Sequence, residues 1–254
     1  MSALFGTAVA VEAGKARASR VMLSITVILV AGVAALASGM LFGVASGDEQ
    51  LLAKLGPLAR AGGWAGLVGV VAQITSAGGL LAFGVALSWL FGREFADGTV
   101  GGLFALPVRR STIALAKLTV FLAWAVGVAV LLTTIVAVLG LAFGYGATDA
   151  AGTVELVRIP VLVVLTALIA VPAAWVATLG RGLLPGIAAT VVLLVLAQVM
   201  AVIGVGAWVP VVAPALWAID PGAVPAASLA IVPSVPLVFG ALCALAWSRL
   251  QLDR

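Results

Sequence analysis

Residues 93 to 117, REFADGTVGGLFALPVRRSTIALAK, place two carboxylates, Glu94 and Asp97, and four cations, Arg93, Arg109, Arg110 and Lys117, between two long apolar runs. The whole chain has only 13 basic and 9 acidic residues, so this island is where ionic chemistry is concentrated. With no histidine anywhere, the commonest general base, proton relay and metal ligand is missing. Cys243 stands alone, and no Cys or His cluster is available for zinc, haem or iron–sulfur, which argues against a redox enzyme or metalloenzyme. What acids and bases at this spacing can do is form ion pairs and docking contacts. A second, sparser set is neutral: Gln73, Thr75, Ser76, Thr133, Thr134, Thr166 and Gln198 lie inside apolar runs. Such amides and hydroxyls suit contact with an amphipathic, lipid-like molecule. Equally, Ser and Thr bond their own helix backbone, and Gln joins neighbouring helices.

The elements that position these residues must be membrane helices. Hydrophobic residues make up 64% of the 254 and charged ones 9%, against roughly 45–50% and about 25% in soluble domains. A helix needs about 20 mostly apolar residues to cross about 30 Å of hydrocarbon. Six charge-free intervals are long enough, and they predict spans at 21–44, 64–91, 118–143, 157–179, 184–206 and 227–248. Alternating barrel-type strands are absent, so the chain reads as an all-α integral membrane protein forming one transmembrane domain over residues 1–254. Pro172 is expected to kink the fourth span. Gly39 with Gly43 and Gly140 with Gly144 are expected to let helices pack closely.

With the amino terminus cytoplasmic, the inner segments hold Lys15, Arg17, Arg20, Arg93, Arg109, Arg110, Lys117, Arg181, Arg249 and Arg254, and the outer ones only Lys54, Arg60 and Arg158. The positive-inside bias therefore predicts that both termini and the charged island are cytoplasmic, in the cell membrane. Trp89, Trp124, Trp175 and Trp247 fall near inner boundaries and Trp64 and Trp208 near outer ones, as interfacial anchors do. Membrane topology thus accounts for the net positive charge, with no nucleic-acid partner needed. The first apolar run continues past Ala35-Leu36-Ala37 to Val44, longer than a signal-peptide core, so a retained span is expected.

Within the island, a short cytoplasmic helix is expected over 94–105, with Glu94 and Asp97 favoured at its start by the helix dipole and Leu106-Pro107 ending it. Gly98, Gly101 and Gly102 weaken that helix. Ser111 is expected to cap the third span, and Lys117 to mark its beginning. A plainer reading of the same basic residues is that they are topology signals only.

Glu94, Gly98 and Thr99, followed by Leu106, Pro107 and Arg110, then Ile113 and Lys117, resemble the signature of ABC transporter permeases of the type-2 exporter family. Arg109 stands where a small hydroxyl residue is common in that family. The resemblance implies six spans with both ends inside and a coupling loop, 93–111, whose short helix docks on an ATP-binding subunit. It assigns coupling to Glu94, Asp97, Gly98, Thr99, Leu106, Pro107, Arg109, Arg110 and Lys117. It further implies an amphipathic connecting helix over 1–20, with Leu4, Phe5, Val9 and Val11 in apolar contact and Lys15, Arg17 and Arg20 on lipid headgroups; a disordered basic tail is the alternative. Residues 207–226, broken by prolines, would form a re-entrant segment on the outer side. No phosphate-binding loop occurs, so ATP and magnesium are expected on two copies of a separate subunit, beside a second permease, identical or paralogous. Cargo would be a drug, antibiotic or lipid, along a path touching Gln73, Thr75, Ser76, Thr133, Thr134 and Gln198. Competing readings are an ion-coupled secondary carrier or channel, which the uncharged spans disfavour, and a non-transporting membrane assembly factor.

Overall fold

Backbone groups in lipid must be satisfied within the segment that carries them, and a computed structural model, describing residues 2–104 and 107–251, is built from helices and turns. Leu106, Asp253 and Arg254 lie outside the described residues. The helices are α1 (Ser2–Arg17), α2 (Arg20–Ala45), α3 (Glu49–Leu55), α4 (Pro57–Ala61), α5 (Gly63–Ala96), α6 (Val100–Phe104) and α7 (Arg110–Ala142). They continue with α8 (Ala150–Ile169), α9 (Pro172–Leu179), α10 (Leu183–Val202), α11 (Ala213–Ile219), α12 (Ala226–Ile231) and α13 (Ser234–Ser248). Among the described residues there is no strand. Six segments are long and apolar enough to cross a membrane: Arg20–Ala45, Gly63–Ala96, Arg110–Ala142, Ala150–Leu179, Leu183–Val202 and Ala226–Ser248. Asp48 and Asp149 cap α3 and α8 by accepting backbone N–H bonds, and Ser19 caps α2 by accepting from Met22 N.

Several boundaries differ from expectation, each for an identifiable reason. No helix begins at Glu94: α5 runs on through it, because nothing breaks the helix until Gly98, whose φ of 67° supplies the left-handed stop. The separate loop helix shrinks to α6. The third span starts at Arg110, so Lys117 lies two turns inside it, and Ser111 does not cap it; Arg109 occupies the cap position without a side-chain bond. The fourth span breaks into α8 and α9 at Pro172, and the sixth into α12 and α13 around Val232-Pro233.

α5 is the central helix and packs against α2, α7, α8, α9, α10 and α11. More than half of its apolar window is buried (56%), whereas α10 buries only 11%. α1 lies on α7, and α13 on α7 and α9. α11, within the proline-broken segment, folds back onto α5 and α8. One end of the bundle gathers α1, the α5–α7 loop, the α9–α10 turn and the last described residues, since Lys15 meets Glu94, Arg110 donates to Leu250 O and Arg181 donates to Gln251 O. α1 and the last described residues therefore share a face.

Close helix approach occurs elsewhere than at the expected glycine pairs. Gly39 faces open space, Gly43 receives the Leu51 side chain, Gly140 receives the Trp64 ring and Gly144 is a left-handed helix stop at φ 78°. The tight seam instead runs between the start of α10 and the helices α5 and α9. A Cβ at Gly92 would lie 2.6 Å from the Gly182 carbonyl carbon, and one at Gly186 would lie 2.9 Å from Ala173 O. Replacing Gly92 with Val must push backbones apart, and an expected loss of about 1–3 kcal/mol follows from overpacking. Thermal unfolding of the detergent-solubilised protein checks this, with Gly78→Ala, which meets nothing within 4 Å, as the neutral control.

Candidate functional site

Lys117 is among the largest fully buried side chains of the protein. A lone ammonium in apolar surroundings is prohibitively costly, so it needs paired charge and hydrogen bonds. Two carboxylates provide them: Glu12 Oε2 at 2.7 Å and Glu94 Oε1 at 2.8 Å. Lys15 closes the group, donating to Glu12 Oε1 at 2.8 Å and Glu94 Oε1 at 3.1 Å. Two acids and two bases thus cancel, with Glu12 and Glu94 each 3% exposed. Burial of the Lys15 side chain acts to lower its pKa, but the Glu12 hydrogen bond and charge, with those of Glu94, outweigh it and the net displacement is upward.

Glu94 also explains the spacing of the motif around it. Its Oε2 accepts from Thr99 Oγ1 at 2.6 Å. Asp97 N and Gly98 N close the helix on Arg93 O and Phe95 O, and the positive φ of Gly98 turns the chain so that Thr99 faces back onto the carboxylate five residues earlier. An acid in the last turn of α5 opposes the helix dipole, an unfavourable placement that the two lysines offset. The carboxylate thereby ties the end of α5, the start of the exposed loop, α1 and α7 to one point. On its other side the Lys117 ammonium stands 5.8 Å from the Trp247 ring centroid. Trp247 Nε1 donates to Thr178 Oγ1 at 3.1 Å, and Phe91 and Phe95 pack edge-on against the ring, which brings α9 and α13 to the same node.

The residues predicted for coupling therefore separate into two groups. Glu94 and Lys117 are buried and join elements within the chain, whereas Asp97, Gly98, Thr99, Pro107 and Arg109 are exposed. Asp97 pairs only loosely with Arg93, at 3.9 Å, and Arg93 lies over the Trp89 ring at 4.5 Å. Arg110 is committed to the Leu250 carbonyl. Lys15, expected on headgroups, faces Glu12 and Glu94 instead, while Leu4, Phe5 and Val11 of α1 are exposed. Trp247, expected at the interface, is 1% exposed. Glu12 and Lys15 were missed as site residues. Their signal was present: a lysine two turns inside an apolar helix demands a carboxylate, and Glu12 and Lys15 sit three apart on one helix.

Of the neutral residues, Gln73, Ser76 and Gln198 line one cleft of about 190 Å³ between α5, α10 and α11. Ser76 Oγ donates to Ala72 O, whereas the Gln73 and Gln198 amides have no hydrogen-bond partner among the described residues. Thr75 is buried with its hydroxyl unpaired and its methyl near that of Thr166 around Gly79. Thr133 and Thr134 lie apart from the cleft, donating to Ala129 O and Val130 O of their own helix.

A bundle of six apolar spans, with an exposed charged loop anchored to a buried ion-pair node, defines a polytopic membrane subunit of the transporter kind. The model of the family described as ABC-2 family transporter protein matches residues 9–197, and the chain belongs to that family: it is a membrane permease subunit of an ABC transporter, a role that implies an ABC ATP-binding partner. No curated protein matches the chain in sequence. The matched range holds the whole node except Trp247, and α11 to α13 lie beyond it.

Replacing Lys117 with Met removes one of the two cations facing a pair of buried carboxylates, and the expected cost is about 3–5 kcal/mol. Arg93→Met, at a partly exposed pair, is expected to cost less than about 1 kcal/mol. Unfolding of both purified variants measures the difference. Adding Glu94→Gln to Lys117→Met should return part of the loss, a non-additivity that a double-mutant cycle reads directly.

Proposed function

We propose that the chain is the membrane-spanning half of an ATP-driven exporter in the cytoplasmic membrane, moving a hydrophobic or amphipathic cargo such as a drug, antibiotic or lipid. The face carrying α1 and the 93–111 loop is the cytoplasmic one, a reading supported by the concentration of Lys and Arg there. The loop centred on α6 docks in a groove of the ATP-binding subunit, two copies of which hold ATP and magnesium. Nucleotide-driven closure of those subunits presses on the loop, and the Glu94 carboxylate passes that displacement to α1, α5 and α7 together. Glu94 and Lys117 act as positioning residues here; Asp97, Gly98, Thr99, Pro107 and Arg109, exposed on the loop, are able to touch the partner.

Cargo moves where two permeases meet, either two copies or this chain with a paralogue. The cleft lined by Gln73, Ser76 and Gln198 supports a place for it on that face, because α10 beside it exposes Val191, Val192, Val195, Leu196, Val199 and Val202. Thr133 and Thr134 are not part of that path.

The observation that carries the reading is the combination of a loop open to a partner with an anchor closed to solvent. Side chains added at Gly101 or Gly102 would meet nothing within 4 Å. Gly102→Phe should therefore leave the isolated protein as stable as the parent, or up to about 1 kcal/mol more so through helix propensity, yet abolish cargo-stimulated ATP hydrolysis in the reconstituted complex. Stimulation equal to the parent would overturn the docking assignment. Orientation has its own check: in a Cys243→Ala background, a membrane-impermeant maleimide applied to intact cells should label Asp149→Cys and spare Asp97→Cys.

A further inference from the structure

A second cleft, of about 420 Å³, opens between α9 and α13 at the charged end of the bundle, far from the Gln73–Gln198 cleft. Its walls are apolar, its rim carries Arg181 and Arg249, and no acidic side chain lines it among the described residues. Leu179 and Leu245 at its mouth are 57% and 45% exposed, on segments that cross the membrane, so the opening faces the bilayer. Trp175 supplies the aromatic surface favoured at headgroup level.

The backbone at Arg181 is a separate observation pointing to this site. α9 ends with Gly182 N bonded to Ala177 O at 3.1 Å and Arg181 N to Thr178 O at 3.3 Å, which puts residue 181 in the left-handed position that glycine normally fills. Glycines stand on both sides of it, yet position 181 is Arg, at φ 51°, the one non-glycine residue with positive φ among those described. An unfavourable backbone conformation is kept where the side chain has work to do. That side chain lines the cleft and donates to the Gln251 carbonyl, while the Arg249 guanidinium opposite has no hydrogen-bond or ion-pair partner among the described residues.

We infer that this cleft is a binding site for one anionic phospholipid of the adjacent leaflet. Its phosphate sits between Arg181 and Arg249, and its acyl chains run along Leu179, Leu242 and Leu245. Charge selects the occupant: two guanidiniums over a leucine wall match an anionic headgroup with a tail, and a basic pocket between membrane helices is the usual form of such a site. The same lipid braces the ion-pair node, because Thr178, which lines the cleft, accepts the Trp247 Nε1 bond whose ring faces Lys117. Nothing in this inference requires that cargo be moved.

The test is native mass spectrometry of the purified full chain with phosphatidylglycerol or phosphatidylcholine added, alongside thermal unfolding in each lipid. The parent should retain phosphatidylglycerol preferentially and unfold at a higher temperature with it. Arg249→Gln and Arg181→Gly should each weaken retention about five-fold and lose the thermal shift, whereas Arg17→Gln with Arg20→Gln, removing twice the charge of either cleft variant at the same end, should change neither. Arg181→Gly also relieves the left-handed backbone, so its lipid loss should come without a lower unfolding temperature in the absence of lipid, and Arg249→Gln disturbs no internal partner. Retention unchanged in both cleft variants, equal binding of the two lipids by the parent, or a matching loss in the Arg17 and Arg20 control would overturn the site.

Discussion

A single ammonium group placed inside an apolar bundle sets the conditions that the rest of the charged end satisfies. Lys117 is 0% exposed two turns into a membrane helix. Ionised, it needs at least one carboxylate in direct contact, and a carboxylate brought in to meet it needs further donors of its own. The chain answers with Glu12 from α1 and Glu94 from α5, then adds Lys15 and Thr99 to complete their coordination. None of these side chains is optional once Lys117 is buried, because each removal leaves an unpaired charge or acceptor where water cannot reach. That is why the amino-terminal helix is folded onto the bundle instead of trailing from it.

The same constraint decides what the exposed loop can transmit. A loop of glycines and a five-residue helix would ordinarily absorb a push by bending. Here its first residue after the turn, Thr99, is bonded to a carboxylate that already holds two lysines from two other helices. Displacing the loop therefore means moving α1, α5 and α7 together or breaking buried charge contacts. Trp247 extends the contact to α9 and α13 on the far side. Away from this node the chain is less continuous: the fourth and sixth spans are interrupted near Pro172 and Pro233, each ending one helical piece and starting another. Rigid connection at the charged end and jointed spans above it are a division of labour written into the placement of charges and prolines.

Much of this was legible in the order of residues, and the failures share a cause. Six spans and the interruption at Pro172 follow from local properties: charge-free length and a missing backbone donor. Glu94 stands out in the sequence with the wrong local environment, since acids favour helix starts but the preceding helix has no reason to stop there. Lys15 and Trp247 were placed at the membrane surface by residue type, although the partners that draw them inward lie 79 and 69 positions away in the chain. Sequence statistics describe what a side chain does on average; a buried counter-ion overrides the average, and only packing reveals it. The paired small residues failed in the same way. Gly140 admits an indole ring, whereas the seam that needs glycine carries the same spacing, Ser88 with Gly92 and Gly182 with Gly186, so spacing alone does not tell which pair packs.

The two ends of the bundle also differ in how completely their polar groups are satisfied, and that difference separates structural from functional polarity. At the charged end every carboxylate and ammonium of the node has a partner within about 3 Å, a geometry typical of charge-assisted bonds. Around the α5–α10–α11 cleft, Gln73 and Gln198 make no hydrogen bond among the described residues, and the Thr75 hydroxyl is buried and unpaired. An amide left unpaired in an apolar medium costs on the order of 2–7 kcal/mol. A chain that meets every demand of Lys117 could equally have replaced two glutamines with leucine. Gln73 on α5 and Gln198 on the nearly unburied α10 are both exposed, where partners from outside the chain can reach them, whereas the ion-pair node is closed within it.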